Sequence, residues 1–401
     1  MTSHFDDLET RSADARASDQ LAALKANVER VAAAPGACRI EAGAVGDLGD
    51  LQRLPVLRKS DLAAWQADKP PFGGIPVRNV AHVFQSPGPI YEPGGVSHDW
   101  WRMGRFLHAA GIGPGDVVQN CFGYHLTPAG MIFESGARAV GATVLPAGTG
   151  QTELQVQAAQ AVGSTAYAGT PDYLKVLLDK ADAMGVSLGI RKAVVGGGAL
   201  FPAMRQAYAD RGIACLQCYA TADLGNIAYE SPAMEGMIVD EGVIVEIVTP
   251  GTGDPVAPGE VGEVVVTALN PDYPLIRFAT GDLSAVLPGQ SPCGRTNMRI
   301  RGWMGRADQT TKIKGMFVRP EQVARLVARH EEIVKARVIA RREDGRDAMT
   351  VQVEATGGAA ADFADSVVAT LKLKGAVEVV SPGSLPKDGL VIEDQRDYEV
   401  T

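Results

Sequence analysis

Apolar positions in this chain switch between two periods, and the switching predicts its layers. Within residues 5–34, Leu21, Leu24, Val28 and Val31 recur at three- and four-residue spacing, the period of a helix buried along one side. Pro35-Gly36 ends that pattern. From residue 98 to 230 short apolar runs alternate with helical ones. Strands are expected at 116–122, 142–146, 164–168, 192–195 and 214–219, and helices at 97–110, 131–140 and 151–161 and after Thr170. Such alternation predicts a parallel sheet flanked by helices, with ligands beyond the carboxyl ends of its strands. Runs at 243–248, 263–268 and 283–287, around a Gly-, Pro- and Asp-rich stretch at 251–262, predict β-hairpins. After residue 308 the alternation resumes: helix 320–330, strands 334–341 and 349–354, helix 359–373 and strand 376–380. The expected architecture is α/β. A large N-terminal domain, 1–307, has parallel sheets plus a small β subdomain at about 238–290, and is hinged to a small α/β C-terminal lid, 308–401.

Composition agrees with that picture. With 401 residues, 46% hydrophobic, and only 6% aromatic, the chain can bury a large core and fits two or three α/β domains. A net charge of −9 argues against nucleic acid as a partner. It leaves small phosphate-bearing ligands open, because those need only local positive charge. Cys38, Cys121, Cys215, Cys218 and Cys293 are scattered, as expected of reduced thiols in a cytoplasmic protein rather than a disulfide framework. Cys215 and Cys218, three apart on a predicted strand, face opposite sides, so they make no metal pair. The six histidines show no ligand spacing. The polar, acidic start is no signal peptide, and no apolar stretch reaches the roughly 18 residues that span a bilayer, so no membrane partner is expected.

The chemistry concentrates between Tyr273 and Gln322. An apolar, extended run there, PLIRFA, leads into Thr280-Gly281-Asp282. A carboxylate at a strand end suits the hydroxyls of a ribose. Gly305-Arg306-Ala307-Asp308 follows, then Lys312-Ile313-Lys314-Gly315. An arginine there suits the same sugar or a phosphate. Asp308 falls where one apolar pattern stops and another starts, which reads as a hinge. Taken alone, each piece also reads as a hairpin, a turn and a surface basic loop.

In order, these pieces resemble the adenylate-forming ligase superfamily, in its phenylacetate–CoA ligase branch. The family pattern there is P-x-x-R-Y-x-T-x-D, then G-R-x-D-D-x-x-x-x-R-G. The resemblance extends over nearly the whole chain, through an L-P-x-x-x-K-x-D-L segment at 54–62, G-A-T-V-x-P at 141–146, G-T-P-x-Y at 169–173 and Y-x-T-x-D at 219–223. It implies ATP or AMP, CoA and magnesium as cofactors, a small carboxylic acid or acyl-CoA as substrate, and a homodimer. It gives Asp282 and Arg306 to the ribose, Tyr219 to the adenine with Thr221, Gly197 and Gly198 nearby, and Asp223 to magnesium. Lys314 and Gly315 go to the CoA side and Asp308 to the hinge. An acyl pocket would draw on Phe122, Tyr124, His125, Pro146 and Gly169. Relatives with structural zinc use positions filled here by Glu230-Ser231, Met237 and Cys293, so no zinc is expected.

The departures concern the chemistry. Where the family has S-S-G-T-T-G-K-P, residues 86–93 read SPGPIYEP. Pro87 and Pro89 donate no amide, and Glu92 puts a repelling charge in the place of a lysine. The stretch also reads as a rigid surface turn. Ala199 replaces an acid, and in the tail Leu390 stands where the adenylation lysine is usual, leaving Lys387 as the substitute the resemblance offers. Two functions therefore stand. One is an acyl-CoA ligase, with Asp223, Arg306 and Lys387 as catalytic residues. The other is a ligase-like protein without ATP chemistry that binds or processes a ready-made acyl-CoA or acyl-adenylate.

Overall fold

In the computed structural model, which describes residues 4–34, 40–86, 89–198, 200–304, 307, 311–318, 320–343, 346–386 and 391–396, the helical spacing near the start becomes the helix Ala13–Ala33. Ser12 caps it by accepting from the Ala15 amide at 3.2 Å. Leu24, Val28 and Val31 are buried against Leu51, Leu54 and Ile276, the face the spacing marks out. The chain divides into two units, Met1–Gly305 and Arg306–Thr401.

A nine-stranded sheet forms the centre of the first unit. Five neighbouring strands, Thr143–Pro146, Val117–Asn120, Ala166–Gly169, Lys192–Val195 and Ala214–Thr221, run parallel. Helices Ala129–Ala139, Thr152–Val162, Pro171–Ala183 and Pro202–Asp210 connect or follow them. From Ala214–Thr221 the sheet continues antiparallel through Gly225–Tyr229, Met237–Val239, Arg299–Ile300 and Val286–Leu287. Cys215 and Cys218 do face opposite ways: one packs with Tyr208 and Val195, the other with Phe133 and Leu216. A second sheet joins Leu57–Arg58, Phe278–Ser284, Gly262–Ala268 and Val243–Val248. The 238–290 stretch thus divides between two sheets.

Two expectations change. The helix expected over 97–110 is only Gly104–Ala109. Asp99 accepts from the Met103 and Gly104 amides, both at 2.9 Å, and so starts the helix late. The residues before it turn Trp100 and Trp101 into the core. The second change is at Asp282, which lies inside the strand Phe278–Ser284 rather than at its end. Gly281 has φ +75, so the strand is locally irregular without stopping.

In the second unit a four-stranded sheet, ordered Ala376–Val380, Arg346–Ala355, Ile333–Glu343 and Ile392–Asp394, packs on two helices. Val323 and Leu326 of Pro320–Val327 and Phe363, Val367 and Leu371 of Ala360–Leu371 cover Val338, Ala340, Val351 and Val353. Lys314 and Gly315, with φ +48 and +80, are the two turn residues of the hairpin Thr311–Ile313 and Met316–Val318. Left-handed φ at both positions is what a two-residue hairpin turn requires. Among the described residues no helix is long and apolar enough to cross a membrane.

Candidate functional site

The carboxyl ends of adjacent parallel strands bring the first group of candidates together. Phe122 follows Val117–Asn120, Gly169 ends Ala166–Gly169, Gly196-Gly197 follow Lys192–Val195, and Tyr219 lies in Ala214–Thr221. Asn120 holds the loop after its strand. Its Nδ2 donates to Tyr124 Oη and to the Gly130 carbonyl, both at 2.8 Å, and its Oδ1 accepts from the Phe122 amide at 3.2 Å. Phe122 is thereby held against Phe133, with ring centroids 4.2 Å apart. Gly197 is exposed, and a Cβ there would only graze Phe122 at 3.8 Å and Thr170 at 3.9 Å. Gly198 is exposed beside it. Tyr124 is half-buried, whereas His125 and Pro146 are exposed.

Asp282 is reached from two sides. Tyr219 Oη donates to its Oδ2 at 2.8 Å and Trp303 Nε1 to its Oδ1 at 3.0 Å. The carboxylate is 8% exposed. Two fixed donors set its plane, which a ribose-binding carboxylate needs before the sugar arrives. Thr221 faces its own turn, where its Oγ1 accepts from the Leu224 amide at 3.1 Å. That turn carries Asp223.

Asp223 meets two residues from distant parts of the chain. Lys59 Nζ donates to its Oδ2 at 2.8 Å. Lys59 opens the helix Lys59–Asp68, which follows the strand Leu57–Arg58 paired to Phe278 and Ala279. The other residue is Glu92. The strands Val80–Ser86 and Ile90–Gly95 pair antiparallel as a hairpin, in which Phe84 faces Glu92. Gln66 clasps it to the helix of Lys59: its Nε2 donates to the Tyr91 carbonyl at 2.7 Å, and its Oε1 accepts from the Tyr91 amide at 2.8 Å. Gly94 permits close packing, since a Cβ there would lie 2.7 Å from Phe84.

The two strands bury one side, while Pro89 and Tyr91 are exposed and Pro87 and Gly88 lie outside the described residues. Ser86, Ile90, Glu92, Pro93 and Gly94 are buried, and Glu92 is 0% exposed. Ser86 stands beside the Glu92 carboxyl, yet among the described residues neither Glu92 oxygen completes a hydrogen bond of normal geometry. Burial first, and then the charge of Asp223, push its pKa up to about 8. That direction favours the protonated acid over the repelling charge the sequence suggests. Tyr273 is buried in reach of the same two acids, its Oη also without a partner among the described residues. Pro87 and Gly88, Ala199, Arg306, Asp308, Lys387 and Leu390 lie outside the described residues.

Lys59 and Trp303 are the members of this cluster that the sequence did not offer as candidates. Lys59 is the lysine of the L-P-x-x-x-K-x-D-L segment, a signal that was readable. Trp303 carries none. Lys314 donates from its amide to Asp347 at 2.9 Å and, with Gly315, is exposed in the second unit. Among the described residues no group of three or more His, Cys, Asp and Glu could hold a metal ion.

Comparison with known proteins follows the same lines. No family model matches the chain. It is 32% identical to the phenylacetate–coenzyme A ligase of Thermus thermophilus over 326 residues, covering 77% of this chain and 72% of that one. It is 34% identical to the Escherichia coli enzyme of the same name over 313 residues, 72% and 68% of the two chains. The corresponding Pseudomonas putida protein gives 30% over 379 residues, 87% and 84%. Among solved structures, a 2-hydroxyisobutyryl-CoA ligase in complex with 2-HIB-AMP and CoA superposes with a TM-score of 0.82. That match has 24% identity and covers 98% of this chain and 92% of that one. An amide bond synthetase from Marinactinospora thermotolerans gives 0.56 at 19% identity, 80% and 70% of the chains.

Proposed function

The chain belongs to the phenylacetate–CoA ligase family of adenylate-forming enzymes, and from that premise we propose that it is an acyl-CoA ligase joining a small aryl acid to CoA. The acid would react with ATP to give acyl-adenylate and pyrophosphate, and CoA would then displace AMP. Adenylation gives the carboxylate a leaving group that it lacks. The observation that carries this reading is the Asp282 carboxylate held by Tyr219 and Trp303 beside the strand ends.

In this reading Asp282 accepts the ribose hydroxyls and Tyr219 lies against the adenine. The stacked Phe122 and Phe133, with the exposed Gly197 beside Phe122, receive the acyl group. Asp223 Oδ1 is buried without a partner among the described residues, which suits one oxygen ligand of magnesium. That ion takes one or two carboxylates plus phosphate oxygens, and it would offset phosphate charge. Lys59, 39% exposed at its side chain and paired to Asp223, supplies a cation on the same side. Lys314 and Gly315 would meet CoA. Arg306 at the ribose, Asp308 at the hinge and Lys387 in adenylation rest on the resemblance. The reading includes a cytoplasmic homodimer, whose subunit number sedimentation of the purified chain measures.

Incubation with ATP, magnesium, CoA and phenylacetate or another aryl acid is expected to yield acyl-CoA and AMP in equal amounts. Asp282→Ala is expected to weaken AMP binding by about 1.5–3 kcal/mol, the worth of hydrogen bonds to a charged group. Calorimetry of the variant, with circular dichroism to establish folding, measures this. Unchanged AMP affinity in a folded variant puts the ribose elsewhere.

One observation favours a second reading, in which the chain takes a ready-made acyl-CoA or acyl-adenylate. A buried Glu92 stands where the family pattern has a loop lysine, so that position brings no cation to the β- and γ-phosphates. The ratio of ATP to AMP dissociation constants with magnesium separates the two. A ligase gains at least about tenfold from the extra phosphates, roughly 1.4 kcal/mol. Equal binding, with no pyrophosphate released from any acid tried, would overturn the ligase reading.

A further inference from the structure

Cys293 lies away from the strand ends, in the stretch between the strands Val286–Leu287 and Arg299–Ile300. It is the one cysteine among the described residues that is not buried. Donors converge on its sulfur. Ser291 Oγ is 3.0 Å from Sγ, and Arg295 Nη1 donates to Sγ at 3.5 Å. Arg295 is 3% exposed, and its Nε is engaged by Glu9. Its Nη2, on the guanidinium that faces the sulfur, is buried and reaches no acceptor among the described residues. A buried donor left without an acceptor costs about 1–3 kcal/mol. An oxygen carried on the sulfur would fill that vacancy.

We propose that Cys293 is a peroxide-modified thiol: its sulfur takes one oxygen from a hydroperoxide, and Arg295 receives the resulting sulfenate oxygen. The thiolate lone pair attacks one peroxide oxygen. An S–O bond forms as the O–O bond breaks, and the departing hydroxide or alkoxide takes up a proton from solvent. The sulfur loses two electrons and the peroxide gains them, so no further oxidant enters. Electrostatics favours the thiolate. Burial works to raise the Cys293 pKa, but hydrogen bonds from Ser231, Ser291 and Arg295 more than offset it and hold the thiol at about 7. Burial drives Cys121, Cys215 and Cys218 the other way.

The acidity sets an expected rate. At pH 7 the thiolate fraction rises roughly sixteenfold over that of a thiol with an ordinary pKa of about 8.5, and the lower nucleophilicity takes back a factor of about five. Acidity alone therefore gives roughly a threefold advantage, before any help from Arg295 to the new oxygen. The consequence reaches the start of the chain. Arg295 and Tyr229 both hold Glu9, which also accepts from the Phe5 amide, so a changed guanidinium position loosens residues 4–11.

The test treats the full chain with hydrogen peroxide in the presence of dimedone and an equal amount of a cysteine-containing reference peptide, and reads labelling by peptide mass spectrometry. Cys293 is expected to be labelled at least threefold faster than the reference. Ser291→Ala is expected to slow it severalfold, and Cys293→Ser to remove the fast label with the fold kept. Labelling of Cys293 at or below the reference rate, or a fast label that survives Cys293→Ser, overturns the proposal. A Ser291→Ala variant that labels as fast as the parent overturns the part given to the donor cluster.

Discussion

Replacing Arg277 by Met is expected to destabilise the first unit by about 3–5 kcal/mol, the cost of breaking a buried ion pair from one side. The residue is 2% exposed, and every guanidinium N–H is in use. Nε and Nη2 donate to the two oxygens of Glu246, both at 3.0 Å. Nη1 donates to the Gln52 and Leu54 carbonyls at 3.0 and 2.6 Å, and Nη2 also to the Gly253 carbonyl at 2.8 Å. One planar group thus ties the segment after the first helix, the 251–262 turn and the second sheet together. Methionine matches the stem but strands a carboxylate and three carbonyls. Lysine is not expected to rescue the variant, because three donors on a rotating ammonium do not replace five in a fixed fork. The residue also sits at φ +49, a strained conformation that these bonds hold in place. Urea unfolding followed by tryptophan fluorescence reads the loss. A midpoint within the error of the parent would mean that the network contributes packing alone. The arginine of the family pattern P-x-x-R therefore has a structural role here, one residue before the strand Phe278–Ser284 that carries Asp282.

The parts legible in the sequence were those governed by local pattern. Strands Lys192–Val195, Val243–Val248 and Ala376–Val380 match expectation to the residue, because apolar, β-branched runs end at clear breakers. The turn Lys314-Gly315 was likewise visible in its glycine. Reading failed where a single side chain overrode the local pattern. Asp99 delays the helix before Gly104, and Gln66 folds the hairpin of Val80–Ser86 and Ile90–Gly95 inward by binding the backbone of Tyr91. Periodicity carries no trace of either contact. The site behaves the same way. Tyr219 and Asp282 could be named from motifs, but not that one would donate to the other across two sheets. Lys59 reaches Asp223 from 164 residues away, and Trp303 enters from beyond the sheet edge. Charge was the least legible property. A glutamate in a loop motif reads as an anion, and the sequence carries no sign that Glu92 is buried, which favours its protonated form.

Glu92 accordingly predicts an unusual pH dependence. Its pKa in the fold is about 8, against 4.5 ordinarily, raised by burial and then by the charge of Asp223. Below the ordinary value the acid is protonated in both folded and unfolded chains, and its contribution to stability is fully present. Between the two values the folded chain keeps a proton that the unfolded chain releases. Stability from this group therefore falls as pH rises, by up to about 1.4 kcal/mol per pH unit, and levels off above the folded value. The full span amounts to a few kcal/mol, since part of the strain is relieved where Lys59 pairs with Asp223. Glu92→Gln keeps the shape and cannot ionise. It is expected to match the parent at pH 5, to exceed it at pH 8.5, and to lose most of the slope between. Urea midpoints at half-unit steps from pH 5 to 9 measure the difference between the two curves, which cancels the other titrating groups. Parallel curves would mean that Glu92 is ionised in the fold. In that case a carboxylate about 4 Å from a bound phosphate would cost around 4 kcal/mol at an effective dielectric of about 20. If the curves diverge as expected, that repulsion is absent at neutral pH and returns only above pH 8. Any ATP binding should then weaken over the same interval in the parent and not in Glu92→Gln.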